Sequence, residues 1–234
     1  MSPGVREATH SRFSLELHLW LSPSFPVGSF AYSHGLEWAV GGGRVHDRAS
    51  AAAWLADLVA HGAPRNDAII LAHAWRAAEV GQSDDIVEIN DLALAMAGSR
   101  ERLLETAMQG NAFMATVLAA WADEAIAGLR SAVVGDVAYP VAVGLAAGAR
   151  GIEMRSTICA FAAAQMQTLA SALVRLAAIG QTDAQMVLAA LTPAISSLAD
   201  EAPSITLGEL GGAAFMSDIA ALAHETQETR LFRS

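Results

Sequence analysis

From Glu153 to Ile179 the chain sets Met154, Ile158, Phe161, Gln165, Leu169, Leu173 and Leu176 at intervals of three and four. That period belongs to a helix with one buried face, and the pattern runs well beyond the length of a strand. The spacing therefore predicts a central buried helix around which the rest must pack. One polar residue, Gln165, interrupts the stripe and needs partners for both ends of its amide once buried. Gly180-Gln181-Thr182-Asp183 ends the helix and caps the next, Ala184 to Leu198.

The remaining segments repeat the helical period. Phe13 to Leu21 is a short apolar helix. Asp47 or Ser50 caps a helix through Ala51, Trp54, Leu55, Leu58 and Val59, and Pro64 starts another with Ile69, Ile70, His73 and Ala74 on its apolar face. Asp84 or Asp85 caps a segment to Met96. A long helix begins at Ser99, with Leu103, Leu104, Ala107, Met108, Met114, Val117, Leu118 and Trp121 as its apolar positions and a wet face at Glu101 and Glu105. Gly110-Asn111 in its middle points to a kink or a close contact. Gly128 to Gly135 reads as a break. Tyr139-Pro140 opens a small-residue helix whose Gly144 and Gly148 allow close approach of another helix. The segment DEAPSITLGELGG reads as a mobile connection, followed by a last helix with Phe215, Ile219, Leu222 and Ala223 on one side. No strand alternation and no fixed-period repeat appears. The expectation is one all-α domain of about ten helices over residues 13–223, with a flexible tail over 1–12 and a polar tail over 224–234.

Between Leu19 and Val45 the pattern breaks. Pro23 and Pro26 remove two backbone donors and push the residues before them out of helical geometry. Gly28 follows, with Ser29 as N-cap of a helix from about Phe30 to Val40 that presents Tyr32, Leu36 and Val40 on one face; Gly41-Gly42-Gly43 stops it.

Composition narrows the function. The 234 residues carry a net charge of −10, and every basic residue is arginine. Without lysine there is no P-loop lysine and no Schiff base, and the acidity argues against nucleic acid. The apolar share of 53% excludes disorder and leaves room for surface buried against partners. Val137 to Ala149 is too short to span a bilayer, and Thr157 to Gly180 is interrupted by Gln165, Gln167 and Arg175. With no signal peptide in view, the reading is a soluble cytoplasmic protein. Cys159 sits in an apolar run as a small buried hydrophobe. The seven histidines (10, 18, 34, 46, 61, 73, 224) form no i,i+3 or i,i+4 pair, so no metal ligand set is expected. His34 and His224 stand out only by their surroundings. No catalytic motif is present, and no cofactor is expected. The terminal HETQETRLFRS joins arginines to Leu231 and Phe232, a composition equally open to an interface anchor and to a frayed end.

Four stretches, in order, resemble the UreF family of urease accessory proteins: SPSFPVGSFAYSHGLEWAV; SRERLLETAMQGNAF with Arg100, Glu101, Gly110 and Phe113; YPVAVGLAAGARGI with VRLAAIGQTDAQ; and HETQETRLFRS. Ala178, Met108 and Glu228-Thr229 depart from the family's usual residues, and the tyrosine that usually precedes the terminal Arg-Leu-Phe is absent. The resemblance implies an all-α, dimeric cytoplasmic chaperone that supports nickel insertion. It would bridge the UreG GTPase and UreD (also called UreH), which docks on the urease apoprotein. Carried onto this chain, Glu37 and Arg175 would engage the GTPase. Tyr32 would pack at the dimer or accessory-protein interface. His224, Glu225, Gln227, Arg230, Leu231, Phe232 and Arg233 would form a tail that is mobile alone and orders on binding. The competing reading is a GTPase-activating protein acting on UreG through an arginine, for which Arg44 after the glycine triplet is the candidate. A third, a metal carrier, would need the scattered histidines to converge.

Overall fold

The computed structural model describes residues 14–233, so the expected flexible tail over 1–12 and Phe13 lie outside the described residues. Within them the chain forms eleven α-helices, three short 3-10 turns and no strand: α1 (Leu15–Trp20), α2 (Leu36–Gly41), α3 (Arg48–His61), α4 (Ala63–Glu79), α5 (Ser83–Ala95), α6 (Arg100–Trp121), α7 (Glu124–Ala132), α8 (Tyr139–Ala149), α9 (Met154–Arg175), α10 (Gln181–Glu201) and α11 (Phe215–His224). The expected all-α class is the observed one.

The middle of the molecule is α8, not α9. From Tyr139 to Gly148 every residue of α8 is buried, and α4, α6, α5, α7 and α9 pack around it. Small residues explain the position. A Cβ on Gly144 would stand 2.6 Å from the Leu71 carbonyl oxygen, and one on Gly148 would stand 2.2 Å from that of Trp75. Helices α4 and α8 thus touch backbone to backbone, which larger side chains prevent. α9 buries the expected stripe (Ile158, Phe161, Leu169, Leu173) against its neighbours but keeps an exposed face. It is also the one described helix long and apolar enough to cross a membrane, and half of that window is buried inside the fold. Gly110 is a close contact, with Val137 and Ala138 backbone pressed against it.

Side-chain caps mark the starts of α1, α3, α6 and α7. Asp47 caps α3, with Ser50 completing a reciprocal box; Ser99 Oγ accepts from Arg102 N at α6, and Asp123 accepts from Ala125 and Ile126 N at α7. Several expected boundaries move: α9 stops at Arg175, short of Ile179 and with Leu176 outside it, and α10 runs from Gln181 to Glu201 rather than from Ala184 to Leu198. α5 begins at Ser83, ahead of Asp84 and Asp85. Gly128 sits inside α7 rather than ending it. The helix expected over Phe30–Val40 is cut in two: a 3-10 turn over Ser29–Ala31 entered through Gly28 in the left-handed region (φ 73°), then α2 from Leu36. His34 (φ 54°) and Gly35 (φ 76°) make the break. A Cβ on Gly35 would lie 2.6 Å from the backbone of Ala220, so α11 presses on the chain there. The connection expected to be mobile is pinned to α3 and α4. His73 Nε2 donates to Ile205 O (2.9 Å), Gly211 N to Asn66 Oδ1 (3.2 Å) and Ala213 N to His61 O (2.9 Å).

Two helices turn apolar residues to solvent, and in α6 this reverses the expected polarity. In the first half of α6, Glu105 and Gln109 are buried while Leu103, Leu104 and Met108 face solvent. In α11, Ser217, Ala220 and His224 are buried while Phe215, Met216, Ile219 and Leu222 are exposed. The wet face assigned to Glu101 and Glu105 is therefore corrected: polar side chains point inward because they have partners there.

Candidate partner-binding site

Where α11 ends, its last residue enters a polar node. His224 is fully buried, with Nδ1 2.8 Å from Glu101 Oε2 in the first turn of α6 and Nε2 3.4 Å from Glu37 Oε2 in the first turn of α2. Carboxylates early in a helix lie at the positive end of its dipole. Both acids also hold the segment that follows. Glu37 Oε1 accepts from Leu231 N (2.7 Å), Glu37 Oε2 from Phe232 N (2.9 Å), and Glu101 Oε1 from Arg230 Nη1 (2.6 Å). Glu225 turns back to accept from Arg100 N (2.8 Å) and Glu101 N (3.3 Å), adding a second cap to α6. Gln227 donates to Thr229 O within the turn, and Arg233 N donates to Ala31 O at 2.7 Å.

Phe232 is the apolar anchor, 4% exposed, with the Arg175 guanidinium 4.3 Å from its ring centroid. Arg175 Nη1 also donates to Phe30 O. Residues expected to serve two separate faces, Glu37 and Arg175 against the tail, thus hold each other. The expected mobile tail is instead docked from Glu225 to Arg233. Tyr32 lies buried beside it, its OH 3.6 Å from Met108 Sδ. Burial, then the Glu105 charge, raise the Tyr32 pKa, opposed by its hydrogen bond and attraction to Arg233.

Behind the node is a cavity of about 530 Å³ walled by Val27, Phe161, Tyr139 and Arg175. Its polar side holds His34, Asp67, Arg102, Glu105, Gln109 and Gln165. His34 Nε2 lies 2.9 Å from Glu105 Oε1, Gln109 Nε2 donates to the same oxygen (2.9 Å), and Arg102 Nη1 donates to Glu105 Oε2. Burial acting alone would raise the Glu105 pKa, but Arg102 and His34 bring it down to about 2. Asp67 goes the other way: burial raises its pKa against the pull of Arg102 and a hydrogen bond from Gln165 Nε2 (2.8 Å). Gln165 Oε1 finds no donor among the described residues.

None of His34, Asp67, Arg102 and Glu105 stood out as a group in the sequence, since three of the four come from different helices or loops. The one local signal was Arg102, Glu105 and Gln109 at intervals of three and four on α6. Among the described residues no three His, Cys, Asp or Glu side chains gather as a metal site. Arg44 is exposed beside the glycine triplet, its guanidinium 4.4 Å from the Trp38 ring centroid.

The family model named UreF matches residues 45–192. The chain belongs to the UreF family. A urease accessory protein UreF from Xanthobacter autotrophicus is 52% identical over 220 residues, 94% of this chain and 90% of its own length. Those from Methylobacterium sp. and Methylobacterium radiotolerans are 49% and 48% identical over 221 residues, again 94% of this chain, and 88% and 96% of their own lengths. The UreF resemblance of the four motifs is thereby confirmed as family membership, and it extends beyond the motifs to nearly the whole chain.

Proposed function

We propose that this UreF chain is a non-enzymatic accessory protein of urease maturation. In this reading it works as a cytoplasmic homodimer that bridges UreG and UreD (UreH) on the urease apoprotein while nickel is inserted. The observation that carries the reading is the outward apolar face on α6 and α11, on either side of the node that binds the tail. Leu103, Leu104, Met108, Phe215, Ile219 and Leu222 are large apolar side chains left in solvent on helices whose polar residues turn inward. Such polarity suits surface that a partner covers. The tail and Tyr32 would then serve the accessory-protein or dimer contact. Glu37 and Arg175 would serve the GTPase, with their opposite charges giving steering and specificity more than affinity.

The test is co-elution of the cognate GTPase and UreD-type protein with the full chain and with a chain ending at Ala223. The expected result is a complex with the full chain only, the truncated chain keeping its helical circular dichroism. A full chain that binds neither partner, with GTP or with GDP, overturns the proposal. The second reading, activation of GTP hydrolysis by an arginine, has Arg44 in its favour as an exposed guanidinium beside a glycine triplet. Its stacking on Trp38 favours a fixed side chain over a mobile finger, so replacing Arg44 with alanine is expected to leave the partner's hydrolysis rate unchanged.

A further inference from the structure

The cavity behind the node opens at one end and closes on polar side chains at the other. Pro23, Phe30, Ser171 and Gln185 stand exposed at its rim, whereas His34, Glu105 and Gln109 are at most 8% exposed. At the closed end Glu105 is well matched: Arg102 Nη1 donates to Oε2, and Gln109 Nε2 donates to Oε1. Asp67 of α4 and Gln165 of α9, beside it, are not. Asp67 keeps accessible surface and lines the cavity, so its carboxylate meets that space. Gln165 Nε2 donates to Asp67 Oδ2, but Oδ1 accepts from none of the described residues. Gln165 Oε1, out of water's reach, finds no donor among them either. Burial outweighs the pull of Arg102 and His34 on Asp67, so its charge is only partly offset. This end of the cavity is short of donors, not of acceptors.

What fits there is a cation that carries N–H groups. Among the described residues no three His, Cys, Asp or Glu side chains gather as a metal site, and a lone carboxylate beside an amide suits N–H donors better. The other walls are apolar. Val27, Phe161 and Tyr139 line the space, with the two rings 5.2 Å apart, and offer a surface to a carbon chain and ring faces to a positive charge. The volume of about 530 Å³ falls within the range of about 300–1,000 Å³ typical of small-molecule sites. We propose that the cavity binds an alkylguanidinium or alkylammonium group, with its N–H donors on Asp67 and its carbon chain along Val27 and Phe161. Arg175 at the rim does not take that place, since its guanidinium donates to Phe30 O and lies over Phe232. The group arrives as a free small molecule or as an arginine or lysine side chain of a partner; the chemistry at Asp67 is the same for both.

The experiment is NMR of the isotopically labelled full chain, titrated at neutral pH and constant ionic strength with ethylguanidinium and with propylammonium. It follows the side-chain amides of Gln165 and Gln109, which mark the closed end. Expected is a saturable shift of the Gln165 amide with at least one of the two probes. Tetramethylammonium, a cation without N–H donors, should bind about tenfold more weakly or worse. Asp67→Asn keeps the shape of the side chain and removes its charge, and it should weaken the probe by about tenfold or more while thermal unfolding stays cooperative. No saturable shift with either probe, an equal response to tetramethylammonium, or an unchanged affinity in Asp67→Asn would each overturn the proposal. Adding the UreD-type protein or the GTPase to the probe-bound chain then separates the two sources. Displacement of the probe assigns the site to a partner's side chain, and its retention assigns the site to a free molecule.

Discussion

Glu105 and Asp67 line one cavity, and their carboxyls are pushed in opposite directions, so charge removal should have opposite consequences at the two positions. Glu105 is held at about 2 against an ordinary value of 4.5, a gap worth about 3 kcal/mol. Because the folded value is depressed, this stability is present in full above about pH 4.5 and is lost as the pH falls toward about 2. Glu105→Gln should cost about 3–5 kcal/mol at neutral pH, since it also leaves the partly buried Arg102 without its counter-charge, and the deficit should shrink on acidification. Asp67 has the reverse sign: its raised value means that ionisation opposes folding once the pH passes its ordinary range. Asp67→Asn should therefore raise stability at neutral pH and give no gain at about pH 3, where both forms are uncharged. Urea unfolding of the two variants and the parent at neutral and acid pH checks both signs. Neither residue was legible as special beforehand. Glu105 sits where solvated glutamates sit on amphipathic helices; Arg102 is its neighbour one turn back on α6, but only the fold buries the pair and brings His34 to it.

Among the elements, glycine separates those that touch through backbone from those that do not. Gly148 of α8 lies against the Trp75 carbonyl, while Gly128 of α7 has nothing within 4 Å of where a Cβ would stand. Alanine gains about 1 kcal/mol over glycine inside a helix from propensity alone. Gly128→Ala should thus stabilise the chain by roughly 0.5–1 kcal/mol. Gly148→Ala should instead destabilise it by about 1–3 kcal/mol, because α4 and α8 must part to admit the methyl. Thermal unfolding of the pair gives the contrast, and a stabilising Gly148→Ala would mean the two helices are not in backbone contact. Most helices were legible because their spacing, caps and prolines are local. The placement of α8 at the centre was not, even though the Gly144–Gly148 spacing was visible. Hydrophobic periodicity reports which face is buried, whereas centrality here depends on how little volume the side chains occupy. The break before α2 was equally hidden, since it answers to α11, which lies far along the chain.

At the scale of the whole molecule, the sequence pattern identified the apolar side of α11 correctly but not the direction in which it points. Phe215, Ile219, Leu222 and Ala223 were read as sharing one side of the last helix; in the fold Phe215, Ile219 and Leu222 are open to solvent, and Ala220 and His224 occupy the interior. Periodicity cannot distinguish a stripe that meets its own core from one that meets another chain. The tail posed the related problem that composition allowed both an anchor and a loose end, and its docking became visible only when Glu37, Glu101 and Arg175 were brought to it. If the open stripe serves the accessory protein, charges placed there should affect association without affecting folding. The double substitution Ile219→Glu and Leu222→Glu adds charge where both side chains are about half exposed, so the stability of the isolated chain should change by no more than about 0.5 kcal/mol per site. Affinity for the UreD-type protein should fall at least tenfold, about 1.4 kcal/mol. Ala220→Glu, on the buried side of the same helix, should instead unfold or loosen the isolated chain, because its carboxylate would enter the core without a partner. Thermal unfolding combined with a binding isotherm distinguishes the cases. Unchanged affinity in a folded double variant would remove α11 from the interface, and a double variant as unstable as Ala220→Glu would show that the stripe belongs to the core after all.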